Sequence, residues 1–273
     1  MKEPKNKSPF KSGLFAFILT FIFLLALLTA QFIYRYKEDL FEKHLDTWTL
    51  VKICSFSMVT LSSLILPISV LVMSVVYYRQ KFGVEETDIK RTIKKAILPV
   101  MAFCFVGFLW VAFVIPKATL HQVGLLYDIT MKNPDEPLQR SNLKLFSTFH
   151  TTCNLFQLGE LTEERNILKK GITISKMFGF PFLILISFFI GMFIGILNRH
   201  QKYLALLLVG IYFTIFPGLH YLMIWFEKLM KEQILSPFQG QLYFLLILTA
   251  ITLLLYKYAT TQLRTDTAHA DNR

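Results

Sequence analysis

The chain has 273 residues, is 54% hydrophobic with 27 Phe, and has a mean hydropathy of +0.49. Its apolar residues come in long blocks, and a block of about 20 is enough to span the ~30 Å hydrocarbon core of a bilayer, so an ordinary soluble domain is excluded. The net charge of +11 does not point to nucleic acid, because the Lys and Arg stand mostly in short connections beside apolar blocks, where they set topology.

Met1 to Lys11 is polar and basic, with four Lys against Glu3. Gly13 to Tyr34 is the first predicted span. Its 22 residues exceed the usual apolar core of a signal peptide. Leu28-Thr29-Ala30 is also a poor cleavage site, which favours a retained span over a cleaved leader. Arg35 to Lys52 balances four basic against four acidic residues and is expected on the outer side. Ile53 to Tyr78 is the second span, long enough to tilt. Pro67 removes one of its helix hydrogen bonds and is expected to kink it.

Arg79 to Lys95 reads RQKFGVEETDIKRTIKK, with six Lys/Arg against three acids. By the positive-inside rule this connection faces the cytoplasm, and the orientation of every other segment follows from it. Ile89, Ile93 and Ile97 repeat every four residues, which predicts a short amphipathic helix at the membrane surface. Ala96 to Ile115 is the third span, closed by Pro116.

Lys117 to Lys176 is the one sizeable segment outside the membrane, with 60 residues. Strand-like runs at His121 to Ile129 and Leu143 to Phe149 flank the turn signal Asn133-Pro134-Asp135. Thr162 is placed to cap a helix running through Lys170, and Gly171 is placed to end it. Met177 to Leu197 is the fourth span, with Gly179 and Pro181 near its start. It contains Gly191-x-x-x-Gly195, a spacing that lets two helices approach closely. Asn198 to Lys202 is a basic inner turn. Tyr203 to Phe226 is the fifth span, broken near Pro217-Gly218. Glu227 to Ser236 is balanced and outer, and Phe238 to Tyr258 is the sixth span.

The expected fold is an all-α membrane protein with six transmembrane helices arranged three plus three. Residues 1–116 hold the first three with a cytoplasmic helix at 79–95, and residues 177–258 hold the last three. Between them lies a small extracytoplasmic insert at 117–176 with room for short β-strands. A tail at 259–273 returns to the cytoplasm, so both termini are expected there.

The predicted spans are almost free of ionisable residues, the usual pointers to function in a membrane. His220 lies late in span five and Gln31 near the end of span one. A lone His near the interface is more often hydrogen-bonded packing than a proton relay. There is no HExxH, serine elbow or glycine-rich phosphate loop, so no catalytic residue, metal or cofactor is expected, and the chain is not read as an enzyme. Cys54, Cys104 and Cys153 show no CxxC pairing. An interior of Phe, Leu and Ile suits lipid acyl chains or plain helix packing.

Two basic features could meet an anionic partner. Arg35 and Lys37, at the outer end of span one, could contact lipid headgroup phosphates or simply snorkel to the interface. Tyr78 to Lys95 could dock in the groove of a soluble ATPase, with Glu85 and Glu86 pairing with its basic residues, or could touch lipid alone.

Leu98-Pro99, Phe108 and Val114-Ile115-Pro116-Lys117-Ala118 follow an acid-bearing connection. Lys176-x-x-x-Phe180-Pro181 opens span four, and Leu235-Ser236-Pro237 precedes span six. In this order, over about 190 residues of spans one to three and four to six, the chain resembles the LptF/LptG (YjgP/YjgQ) permeases. That family moves lipopolysaccharide out of the inner membrane of Gram-negative bacteria. The resemblance implies a second permease subunit, an anionic glycolipid, and a soluble ATPase docked between spans two and three. It places Glu85 or Glu86 at the coupling acid, beside Lys90 and Arg91, and Arg35 and Lys37 against lipid phosphates. Spans one and five become candidates for a lateral gate.

The chain departs from the family in two places. From Glu86 to Pro99 it lacks the small-residue and glycine turn that follows the family's acid. Roughly 44 residues before Thr162 are also too few for an eight-stranded jelly roll. Both departures are what a non-transporting six-span scaffold derived from that family would show, and this is the alternative reading. An enzyme acting on lipid has no residues to carry it.

Overall fold

The computed structural model describes residues 8–35, 47–84, 89–121, 125, 164–199, 210–211, 214 and 216–271. Every regular element among them is helical. In chain order they are α1 (Pro9–Arg35), α2 (Thr47–Val84), α3 (Ile89–His121), α4 (Glu164–Leu197), α5 (Phe216–Lys231) and α6 (Pro237–Asp271). α1 and α6 both open on proline, whose fixed φ and missing N–H suit a first helical turn. Ser236 and Gln239 brace the start of α6 reciprocally. The Gln239 N–H donates to Ser236 Oγ at 3.3 Å, and the Ser236 N–H donates to Gln239 Oε1 at 3.1 Å.

Five of these helices, α1 to α4 and α6, are long and apolar enough to cross a bilayer. The expected fifth span at 203–226 lies partly outside the described residues, and α5 covers its second half and runs on to Lys231. α1, α3 and α6 turn large apolar side chains outward, including Phe15, Leu98 and Leu254 at 67%, 79% and 68% exposure. Such surfaces are untenable in water and normal against acyl chains. The chain is a multi-pass membrane protein.

α2 and α4 form the central pair. α1 packs on α2, while α3 and α6 pack on α4. Lipid is as apolar as leucine, so close packing rather than exclusion of water selects these contacts. The glycines of α4 show how. A Cβ at Gly191 would collide with the Leu71 carbonyl and Ser74 Oγ of α2, and one at Gly195 would stand 2.6 Å from the Val75 carbonyl oxygen. On another side of the same helix, Gly179 lies against Gln241 of α6 and Gly171 against Pro237. The main core joins Tyr78 and Phe82 of α2, Val100 and Cys104 of α3, and Ile184, Phe188, Met192 and Ile196 of α4. Tyr78 meets Phe188 edge to face, with ring centroids 5.7 Å apart.

Several expectations need correction. Among the described residues of 79–95 there is no separate surface helix. Residues 79–84 continue α2, and residues 89–95 open α3, which runs to His121. The cause is burial. Phe82 and Ile89 are enclosed in the main core, so tertiary packing extends both helices past the apolar blocks. A four-residue spacing also drifts about 40° per step on a helix. Ile89 is therefore buried and Ile93 half-buried, while Ile97 turns outward.

Gly171 does not end a helix; α4 continues through it from Glu164 to Leu197. No described glycine has positive φ, the conformation a glycine stop requires. Its missing side chain instead admits Pro237. α2 likewise passes through Pro67 as one helix. His121 closes α3 rather than opening a strand, and Thr162, the Asn133 turn and the rest of both strand-like runs, apart from Leu125, lie outside the described residues. α3 also holds a π turn at Trp110–Val114, where Trp110 Nε1–H donates to Ser62 Oγ of α2 at 2.8 Å.

Candidate functional site

The two ends of the bundle carry different chemistry. At one end, α2 and α4 are tied by Arg79, whose Nε–H donates to the Asn198 carbonyl at 3.3 Å. Asn198 Nδ2 donates to the Ile194 carbonyl at 2.9 Å, and Arg199 Nη1 to the Ile196 carbonyl at 3.3 Å. These donors satisfy carbonyls that a helix leaves open at its C-terminus, where cations are also favoured. The first turns of α1 reach this end, since Gly13 lies against Tyr77 and Met73. The far turns of α6 do too, with Ala259 fully buried in the Tyr78–Phe82 cluster. α3 begins here with Lys90, Arg91, Lys94 and Lys95, all exposed.

At the other end, Glu227 of α5 sits between two lysines. Lys176 Nζ of α4 lies 2.5 Å from Glu227 Oε2, and Lys231 Nζ lies 2.7 Å from Oε1. Burial pushes the Glu227 carboxyl up, but the charges and hydrogen bonds of Lys176 and Lys231 outweigh it and hold the group below its ordinary value. The turn that follows places Gln233 at φ 59°, a left-handed conformation that lets the Ile234 N–H donate to the Leu229 carbonyl at 3.1 Å.

Between the ends, every buried polar side chain among the described residues is a serine or threonine. Most return their hydroxyl to a carbonyl one turn back, as Ser57 does to Ile53 and Thr119 to Ile115 at 2.8 and 2.9 Å. Among the described residues, no group of three His, Cys, Asp or Glu could hold a metal ion. The interior offers packing surface and mostly self-satisfied hydroxyls, the exception being Thr29 of α1, whose Oγ1 is buried without a partner among the described residues.

Of the expected coupling residues, Lys90 and Arg91 are exposed at the basic end, sharing it with Arg79 and Arg199. Glu85 and Glu86 lie outside the described residues, as does Lys37. Arg35 closes α1 at the opposite end of the bundle, where its backbone alone is described, and the same holds for the backbone of His220 on α5. Gln31 is exposed. The Lys176–Glu227–Lys231 cluster escaped the reading of the sequence. An acid directly after an apolar span, with Lys four residues on, was its local signal. Its main partner stands 51 residues away and is joined only by folding.

Comparison of the chain with protein-family models, with curated proteins and with solved structures gives no match.

Proposed function

We propose that this chain is a permease subunit of an ABC-type lipid exporter. It would extract a lipopolysaccharide-like anionic glycolipid from the bacterial inner membrane when coupled to a separate soluble ATPase. A second permease subunit, identical or related, would pair with it. The fifth apolar block completes six spans, with both termini on the cytoplasmic side.

The reading rests on the span order and the short motifs around Pro99, Pro116 and Pro181. One observation supports it most: the basic connection between α2 and α3 shares an end of the bundle with the start of α1 and the far turns of α6. That is the arrangement expected of a cytoplasmic face where a motor docks. Glu85 and Glu86, with Lys90 and Arg91, then serve the ATPase contact. Arg35 and Lys37, at the far end of α1, serve the lipid headgroup.

Purification of the tagged chain in mild detergent tests this. An ATPase subunit is expected to co-purify and to be lost on Glu85→Lys with Glu86→Lys. Recovery of the chain alone overturns the reading. A cysteine at position 90 should resist a membrane-impermeant reagent in intact cells and react once they are permeabilised.

The continuity of α3 from Ile89 favours the second reading, a non-transporting scaffold, because no free-standing coupling helix remains among the described residues. Normal lipopolysaccharide export in a deletion strain would support it.

A further inference from the structure

α3 has two sharply different sides. Ile89, Thr92, Ala96, Val100, Cys104 and Gly107 are buried, at spacings of three and four that define one stripe facing α2 and α4. On the opposite side, Lys90, Lys94, Leu98, Met101 and Phe105 also follow one another by three or four residues, and all are exposed. Arg91 and Lys95 flank this second row. The outward side of one helix thus begins with four cations in six residues, passes within a single turn to Leu98, 79% exposed, and continues to Phe105, 62% exposed.

We propose that this outward side binds an anionic phospholipid of the surrounding membrane. Lys94 and Lys95 would hold the headgroup phosphate, with Lys90 and Arg91 adding to the positive field around it, and Leu98, Met101 and Phe105 would line its acyl chains. Charge complementarity supports the assignment, because Ile89–His121 contains no Asp or Glu and the six Lys/Arg of 79–95 still outnumber Glu85, Glu86 and Asp88 two to one. Continuity chooses lipid over free phosphate: the cations stand at the head of an apolar wall that faces hydrocarbon. One lysine at a span end is explained by snorkelling. A group of four immediately beside a span is the pattern that draws anionic headgroups, each cation contributing through attraction near the surface. The lipid is a component of the bilayer rather than cargo, so the inference goes beyond the export reading.

Native mass spectrometry of the purified chain in neutral detergent, without any ATPase, tests the proposal. The chain is given equal phosphatidylglycerol and phosphatidylcholine. Retention of phosphatidylglycerol is expected to dominate, to weaken with salt, and to be unaffected by excess glycerol phosphate. Lys94→Gln with Lys95→Gln should cut that retention about tenfold or more. Lys94→Arg with Lys95→Arg should preserve it, and both variants should keep the wild-type circular dichroism and elution volume. The quadruple Gln variant, if it inserts, should lose the preference. Equal retention of the two lipids by the wild type overturns the proposal, as does an unchanged preference in the double Gln variant. Competition by free glycerol phosphate also overturns it, in favour of a soluble anion. If the double Gln variant keeps its lipid here yet loses the ATPase in the co-purification described above, the face belongs to a protein partner and the proposal fails.

Discussion

The seam between α2 and α4 and the seam between α4 and α5 are closed by different means. In the first, backbones come close: Gly191 and Gly195 bring α4 against the Leu71 and Val75 carbonyls, with the short Ser74 side chain also at the contact. In the second, Glu227 reaches Lys176 from the adjoining helix. The first contact lacks adjustable parts and fails when volume is added. The second is two charged groups at the rim, and fails when charge is removed. Hydrocarbon rewards neither burial for its own sake nor unpaired charge, so a membrane fold leans on backbone fit inside and on ion pairs at its edges.

Adding volume to the first seam should have the largest effect. Gly191→Leu is expected to cost about 3 kcal/mol or more, because backbone rather than a flexible tip must yield. Thermal unfolding in detergent would show it. Gly218→Ala is the control, since among the described residues nothing lies within 4 Å of a Cβ there, and it should stabilise by roughly 0.5–1 kcal/mol through the unfolded chain.

Removing charge from the second seam comes next. Glu227→Gln should cost about 1.5–3 kcal/mol, the range for hydrogen bonds to charged groups. Because the folded carboxyl titrates below its ordinary value of 4.5, its contribution is complete above that pH and fades below it, as pH falls through the folded value. The gap in melting temperature between wild type and E227Q should therefore close under acid and stay constant above pH 5 or so. A gap that persists in acid would assign the contact to packing instead of charge.

The α2–α3 seam lies between these cases, joined by the Trp110–Ser62 hydrogen bond. Trp110→Phe and Ser62→Ala should each cost about 1 kcal/mol, and a double-mutant cycle should show them coupled. The smallest effect should be at Gln233. Its positive φ suits glycine, so Gln233→Gly should raise stability by a few tenths of a kcal/mol up to about 1.

The helical class and most of the spans were legible because apolar blocks of bilayer length have few other uses. Gly191 and Gly195 were legible too, since small residues four apart act through local geometry, and the structure puts another helix against both. What misled was local pattern that tertiary packing overrides. Gly171 looked like a helix stop, yet it is a point of close approach. The Ile89–Ile93–Ile97 stripe looked like a membrane-lying face, yet its first residue is enclosed by protein. Tyr78 and Phe82 belong to the same core, which no reading of the basic connection alone could reveal. The Lys176–Glu227 contact depends on two distant segments meeting, and charge patterning along a chain carries no such information.

α6 has 35 residues, which at 1.5 Å each makes a rod of about 52 Å, against a hydrocarbon slab of ~30 Å. Some 20 Å of it must therefore stand clear of the acyl region. With its start held by the hairpin beside Gln233 and its length seated on the core as far as Ala259 and Leu263, the last turns are a lever. A small tilt of the buried part becomes a wide swing at Asp271, so a fluorescent reporter placed there would amplify motions of the bundle too slight to follow inside it.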